Sequence, residues 1–266
     1  MRRASASLLL VALALLAFAG SAAAAGPDAE RKRNCLPAER IAAAERYAED
    51  RLGTVSFAVL DECGRLVGSH VHRTHLSASV VKVMLLVAYL RQPGVRDDEL
   101  TTGEKRLLGP MIKSSNNKSA NAVYVEVGAG GLYEVANDAK MRHFTTQSVW
   151  GASEINPADQ ARFIADLERY VPKRHESYAL GLMARVIPPQ RWGIPRLKLP
   201  GWKVRIKGGW TPQAGGGWRV NQVGRIENGR RRLSYAIFTA DQVDYDYGRQ
   251  TIEGVGEQLL RGYRGS

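Results

Sequence analysis

From Val80 to Leu90 every position except Lys82 is apolar or aromatic. No face is left for water, so the pattern predicts a helix buried on all sides, and Pro93-Gly94 stops it. Upstream, Ile41, Ala44, Tyr47, Ala48 and Leu52 recur at helical spacing, which predicts a helix over roughly 37–52. The runs Thr54 to Leu60 and Leu66 to His72 flank Asp61-Glu62-Cys63-Gly64 and read as a β-hairpin. Helical patterns follow near 104–112, 118–127 and 131–141. Asn156-Pro157 opens another helix, with Asn as the cap and Pro in the first position, running to about Tyr170. Beyond residue 200 the pattern changes to strands at Lys203 to Lys207, Trp218 to Ile226 and Arg231 to Thr239. Gly208-Gly209 and Gly215-Gly216-Gly217 read as the turn between the first two, and Glu227-Asn228-Gly229 joins the second pair. A helical stretch from about Gln250 to Tyr263 closes the chain.

This order of elements implies an α/β sandwich. A five-stranded antiparallel sheet is made from both ends of the chain and flanked by helices, and the middle folds as an all-helical lobe. The sheet lobe is expected over about 37–76 and 200–266, and the helical lobe over about 77–199.

Residues 1–25 read as a secretory signal peptide: Arg2 and Arg3, an apolar run from Leu8 through Phe18, then small residues from Ala22 to Ala25. The run is short of the ~20 residues a bilayer span needs. Cleavage near Ala25 leaves 26–266, which suits one compact domain, expected outside the cytoplasm, with retention as an anchor the lesser reading. The formal charge of +12 could favour an anionic cell wall, membrane surface or nucleic acid, but a solvated basic exterior is the preferred reading. The basic residues are scattered apart from Arg31 to Arg33 and Arg230 to Arg232, and carry no nucleic-acid signature. Cys35 and Cys63 are the only cysteines. A helix rising ~24 Å and a strand returning ~26 Å would bring Cys63 back to Cys35. In an oxidising compartment that predicts a disulfide, with two unpaired thiols as the alternative.

The candidate chemistry begins with Ser79-Val80-Val81-Lys82. A serine and a lysine three apart share a helix face. A lysine desolvated in an apolar helix loses its proton more readily and becomes a usable base. Ser-x-x-Lys alone is weak evidence, since Ser115-Asn116-Asn117-Lys118 matches it as well. Order and context strengthen it: Ser115-Asn116-Asn117 falls between helical segments, and Lys207-Gly208-Gly209 ends a strand. In these motifs the chain resembles the serine β-lactamases and penicillin-binding proteins, whose signatures are S-x-x-K, S-D-N or S-x-N, and K-T-G in that order. Met111-Ile112, Asn121, Gly201-Trp202 and Asn221 extend the resemblance, which is closest to class A β-lactamases.

The resemblance implies an acyl-enzyme on Ser79, formed with a β-lactam or a peptidoglycan stem peptide ending in acyl-D-alanine. It casts Lys82 as base and Ser115 as proton donor to the leaving nitrogen. Asn117, Lys207, Gly209 and Trp210 would bind substrate, with the amides of Ser79 and Trp210 as the oxyanion hole. No metal or organic cofactor is implied, and a monomer is expected. The second motif has Asn116 where class A enzymes carry Asp, and the third has Gly208 where Thr or Ser is usual. The lost hydroxyl is expected to weaken carboxylate binding, so that Gly208→Thr would restore it; Arg219 is a substitute donor or else a solvated strand residue. Between Gly131 and Pro157 the Glu-x-x-x-Asn of class A enzymes has no counterpart. Glu134 and Glu154 are the acidic candidates, one on a helix face and one before a cap. The segment Met141 to Pro157 is nearer the D,D-carboxypeptidase pattern, which makes a D,D-peptidase the first rival. A catalytically degenerate module that binds cell wall or protein is the second.

Two further groups are ambiguous. His70, His72 and His75 lack the partners of a zinc site and read as strand-surface residues. Gln190-Arg191-Trp192-Gly193 either lines the cleft or packs beneath a loop.

Overall fold

The computed structural model describes residues 35–229 and 231–263; the expected signal segment lies outside them. After helix α1 (Ala38–Glu49) come strands β1 (Thr54–Leu60), β2 (Leu66–Ser69) and the short β3 (His75–Leu76). The helical middle holds α2 (Lys82–Leu90), α3 (Pro93–Arg96), α4 (Thr102–Lys113) and α5 (Asn117–Asp138). It continues with the short β4 (Glu154–Ile155), α6 (Pro157–Ala165), α7 (Leu167–Tyr170) and α8 (Glu176–Ala184). The last part is β5 (Lys203–Pro212), β6 (Trp218–Asn228), β7 (Arg231–Ala240) and α9 (Tyr245–Leu260).

The main sheet is antiparallel, in the order β2-β1-β7-β6-β5. Alternate side chains point to opposite faces, and both faces are covered. Phe57, Val59, Tyr235 and Ile237 enter one core with α1 and α9. Ala58, Ala236 and Phe238 enter the other, against the helical lobe. All nine residues of α2 are buried, as its composition requires.

Ion pairs tie the sheet to the helical lobe. The buried Arg225 binds Glu168 through two nitrogens at 2.7 Å and also reaches Glu227 at 2.9 Å. Arg205 pairs with Glu227 and donates to the Leu180 carbonyl at 3.0 Å. Cys35 and Cys63 form the disulfide, with Cα atoms 5.3 Å apart.

Three sequence expectations are corrected. Gly208-Gly209 is not a turn, because β5 runs straight through it to Pro212 and the reversal falls at Gln213–Gly217. Only the glycines at 215–217 take the left-handed conformation that turning here demands. The helix from Pro157 to Tyr170 is interrupted at Asp166, where Arg225 and Arg232 take the Ala165 carbonyl. His70 and His72 share no strand face, because β2 ends at Ser69 and His70–Arg73 is a turn. His75 is buried against Ser56 at 3.0 Å, and burial lowers its pKa to about 4.

Candidate active site

Ser79 lies in a 3-10 turn, Ala78–Val81, which passes directly into α2. The α-helix therefore starts at Lys82, two residues later than the apolar run from Val80 suggested. Ala78 holds φ at 47°, uncommon for a residue with a side chain, and costs of order 1–3 kcal/mol unless neighbours fix it. Asn221 supplies that restraint from β6. Its amide donates to the carbonyls of Leu76 (3.0 Å) and Ser77 (3.2 Å), and its oxygen accepts from the Thr239 amide (3.1 Å). The Ser77 amide donates to the Ser153 carbonyl at 2.8 Å. Sequence named Asn221 only through resemblance; the available signal was a pair of amide side chains, Asn221 and Gln222, between Val220 and Val223 in a buried strand.

Lys82 is wholly buried. Its Nζ donates to Asn117 Oδ1 (2.7 Å), the Ser115 carbonyl (2.6 Å) and Ser115 Oγ (3.3 Å). Burial pushes its pKa down to about 7. Lys207, also buried, donates to Ser115 Oγ at 2.9 Å and to the Gly208 carbonyl at 2.6 Å. Burial first, then the charge of Lys82, holds Lys207 well below the usual lysine value. Ser115 Oγ thus accepts from two lysines, which leaves its own proton free to be given elsewhere. Ser115 has φ at 57°, a second strained residue at one place. Asn116 caps α5 by accepting from the Ser119 amide at 2.8 Å. Asn and Asp cap equally well, so the departure at Asn116 leaves the turn intact.

Ser79 opens into a cleft of about 540 Å³, lined also by Asn117, Trp150, Trp210, Thr211 and Arg219. β5 is the edge strand, and its outer backbone lies along the Ser79 turn. A side chain on Gly209 would come 2.6 Å from the Ser79 amide nitrogen, so the absence of one lets strand and turn meet. Gly208 is different. A Cβ there would lie 2.4 Å from the ring of Trp192, a buried indole packed against Trp210 and Tyr245. Trp192 thus packs beneath the site and fills the space a threonine would need. The expectation that Gly208→Thr restores carboxylate binding is withdrawn on that ground. Gln190 donates to the Ser114 carbonyl at 2.9 Å and so braces the loop carrying Ser115. Arg219 is half-buried in the cleft, and its Nε has no hydrogen-bond partner among the described residues. Burial lowers its pKa.

The loop preceding Pro157 lays Trp150 over Lys82, with Nζ 4.8 Å from the ring centroid. The indole is fixed by its Nε1 donating to Asn121 Oδ1 at 2.8 Å. No carboxylate lines the cleft among the described residues. Glu154 turns instead to Thr145 (3.0 Å) and His143 (3.4 Å). Glu134 borders a separate depression with Arg91 and Arg169. Among the described residues, the only close grouping of metal-ligand types is Cys35, Asp61 and Cys63, whose sulfurs are already joined.

Residues 96–263 match a family profile described as "Beta-lactamase enzyme family". No curated protein sequence matches the chain. Among solved structures, a β-lactamase from Sphaerobacter thermophilus is 22% identical, covering 84% of this chain and 96% of that one, with a TM-score of 0.71. A class A β-lactamase from Mycobacterium abscessus is 19% identical over 84% and 99%, TM-score 0.67. A protein described as PBP-A is 14% identical over 85% and 96%, TM-score 0.70. At these identities the likeness is one of fold.

Proposed function

The chain belongs to the beta-lactamase enzyme family, and from that premise we propose that it forms an acyl-enzyme at Ser79 with β-lactams and releases the acyl group slowly. Once Lys82 has shed a proton, and with it one of its three donated hydrogen bonds, it takes the Ser79 proton, and the oxygen attacks the carbonyl. The amides of Ser79 and Trp210 stabilise the resulting oxyanion, where one donor is typically worth about 3 kcal/mol. Ser115 gives its proton to the departing nitrogen, and Lys207 and Lys82 stand ready to replace it. Asn117 holds the substrate amide, and Arg219 receives its carboxylate in place of the hydroxyl missing at Gly208. The observation that carries this reading is the convergence of two proton-poor lysines on one hydroxyl beside an accessible serine.

Slow release follows from Trp150. A deacylating water needs a base within reach, and where such a base would act over Lys82 an indole stands. This same observation favours a second reading, a D,D-carboxypeptidase acting on acyl-D-alanyl-D-alanine peptidoglycan stems, for which rapid β-lactam turnover has no use. Mass spectrometry after penicillin exposure tests the proposal. An adduct of one penicillin per chain is expected, absent in Ser79→Ala, with a nitrocefin burst followed by a slow steady state. Rapid multiple turnover would remove the slow-release claim, and no adduct at all would leave a binding module. Release of D-alanine from a stem-peptide analogue would favour the peptidase.

A further inference from the structure

A second depression, of about 640 Å³, shares no lining residue with the Ser79 cleft. Leu197, Leu199 and Leu260 give it an apolar floor, while the exposed Arg196, Lys198 and Arg261 surround it. Glu257 is the one acid on its lining. A fourth cation, Arg40, comes within 3.8 Å of the position a Cβ on Gly262 would take. Among the described residues none of these four cations makes an ion pair. Lys198 also holds φ at 46°. A left-handed lysine between two half-buried leucines keeps the apolar and basic side chains interleaved.

The chain outside the structure enters at the same place. Cys35, the first described residue, is bonded to Cys63; the adjacent Glu62 accepts from the Tyr263 hydroxyl, and Tyr263 lines the groove. Immediately upstream the sequence reads Arg31-Lys32-Arg33, and further upstream lies the apolar run Leu8 through Phe18. The groove therefore lies on the face where the described chain begins, and the sequence just before that point is basic. A bare polyanion has no use for the leucine floor, and a second copy of so basic a chain is repelled.

We propose that this face docks on a membrane surface rich in anionic phospholipid. The four cations sit among the headgroup phosphates, and the Leu197–Leu199 loop rests at the polar–apolar boundary. Interfacial binding of this kind combines apolar contact with attraction to anionic lipid, and each basic residue near the surface strengthens it roughly fivefold. The inference does not depend on the acylation reading.

Co-sedimentation of the full chain with vesicles tests it, comparing phosphatidylcholine alone with an equimolar mixture of phosphatidylcholine and phosphatidylglycerol. The protein should partition onto the mixed vesicles more than about tenfold better. The combined change Arg196→Glu, Lys198→Glu and Arg261→Glu should remove at least about tenfold of that. A matched reversal in the helical lobe, at Lys105, Arg106 and Arg174, should change it by no more than about twofold, the share left to overall charge by screening. Lys198→Glu alone reads the same effect at smaller amplitude if the triple variant melts early. Equal losses from both triples, no loss from the groove triple, or equal binding to neutral vesicles would overturn the proposal. So would soluble polyphosphate binding as tightly as the vesicles, or a dimer that the groove triple dissociates.

Discussion

Lys82 sets the pH at which Ser79 can react. Its amine is useful only without its proton, and burial brings its pKa down to about 7. The rate of penicillin labelling should therefore rise with pH through about 7 and level off above, falling about tenfold per unit on the acid side. Labelling that stays flat from about pH 5 to 9 would deny Lys82 the role of base. The same depression has a consequence for folding. Between about 7 and the ordinary value of 10.5 the unfolded chain holds a proton that the folded chain does not, so this lysine's contribution to stability grows with pH across that window. Below about 7 its full penalty remains. In Lys82→Met the pH dependence of urea unfolding should lose that share of its slope and keep the share due to Lys207. At Gly208 the limit is space. Gly208→Thr forces a methyl-bearing carbon against Trp192 and should cost about 1–3 kcal/mol, seen as a lower thermal midpoint without tighter binding. Gly208→Thr combined with Trp192→Leu should recover part of that loss.

At the scale of elements, the Ser79 turn depends on the strand beside it. Asn221→Leu keeps the size of the side chain but deletes two hydrogen bonds to the segment before Ala78 and one from the Thr239 amide in β7. Labelling should slow by about tenfold or more, because misplacement of a nucleophile by about an ångström can cost up to about a hundredfold. Retained binding of a non-covalent substrate analogue would separate this effect from unfolding, and an unchanged labelling rate would make Asn221 merely structural. Such dependence explains what could and could not be read along the chain. The helix at 80–90, the Asn156 cap and the hairpin at 54–69 were legible because each is set by neighbours in sequence. Ser115, Asn117 and Lys207 were legible because their order is informative. Gly208-Gly209 was misread as a turn, since a glycine needed for close approach and one needed for bending look alike until the neighbours, Trp192 and Ser79, are placed. Trp150 over Lys82 and Arg219 in the cleft arise from contacts between distant segments, which no local pattern encodes.

For the whole molecule, the single disulfide joins residues 28 apart and pins the start of the described chain to the β1–β2 hairpin. Closing a loop of that length in the unfolded chain is worth about 3–4 kcal/mol. Replacing both Cys35 and Cys63 by Ser should lower stability by about that amount in urea unfolding, with penicillin labelling retained, since neither residue lines the cleft. No helix among the described residues is long and apolar enough to cross a membrane.

The sheet's construction carries one more consequence, for timing. β1 (Thr54–Leu60) lies between β2 and β7, and β7 (Arg231–Ala240) is made long after it. Until β7 arrives β1 has one bare edge, and the two cores that β7 completes stay open. Contacts between such distant segments form slowly. A nascent polypeptide of this design cannot close either core before β7 has emerged, so everything made earlier stays loose enough to be threaded, unfolded, through a narrow opening.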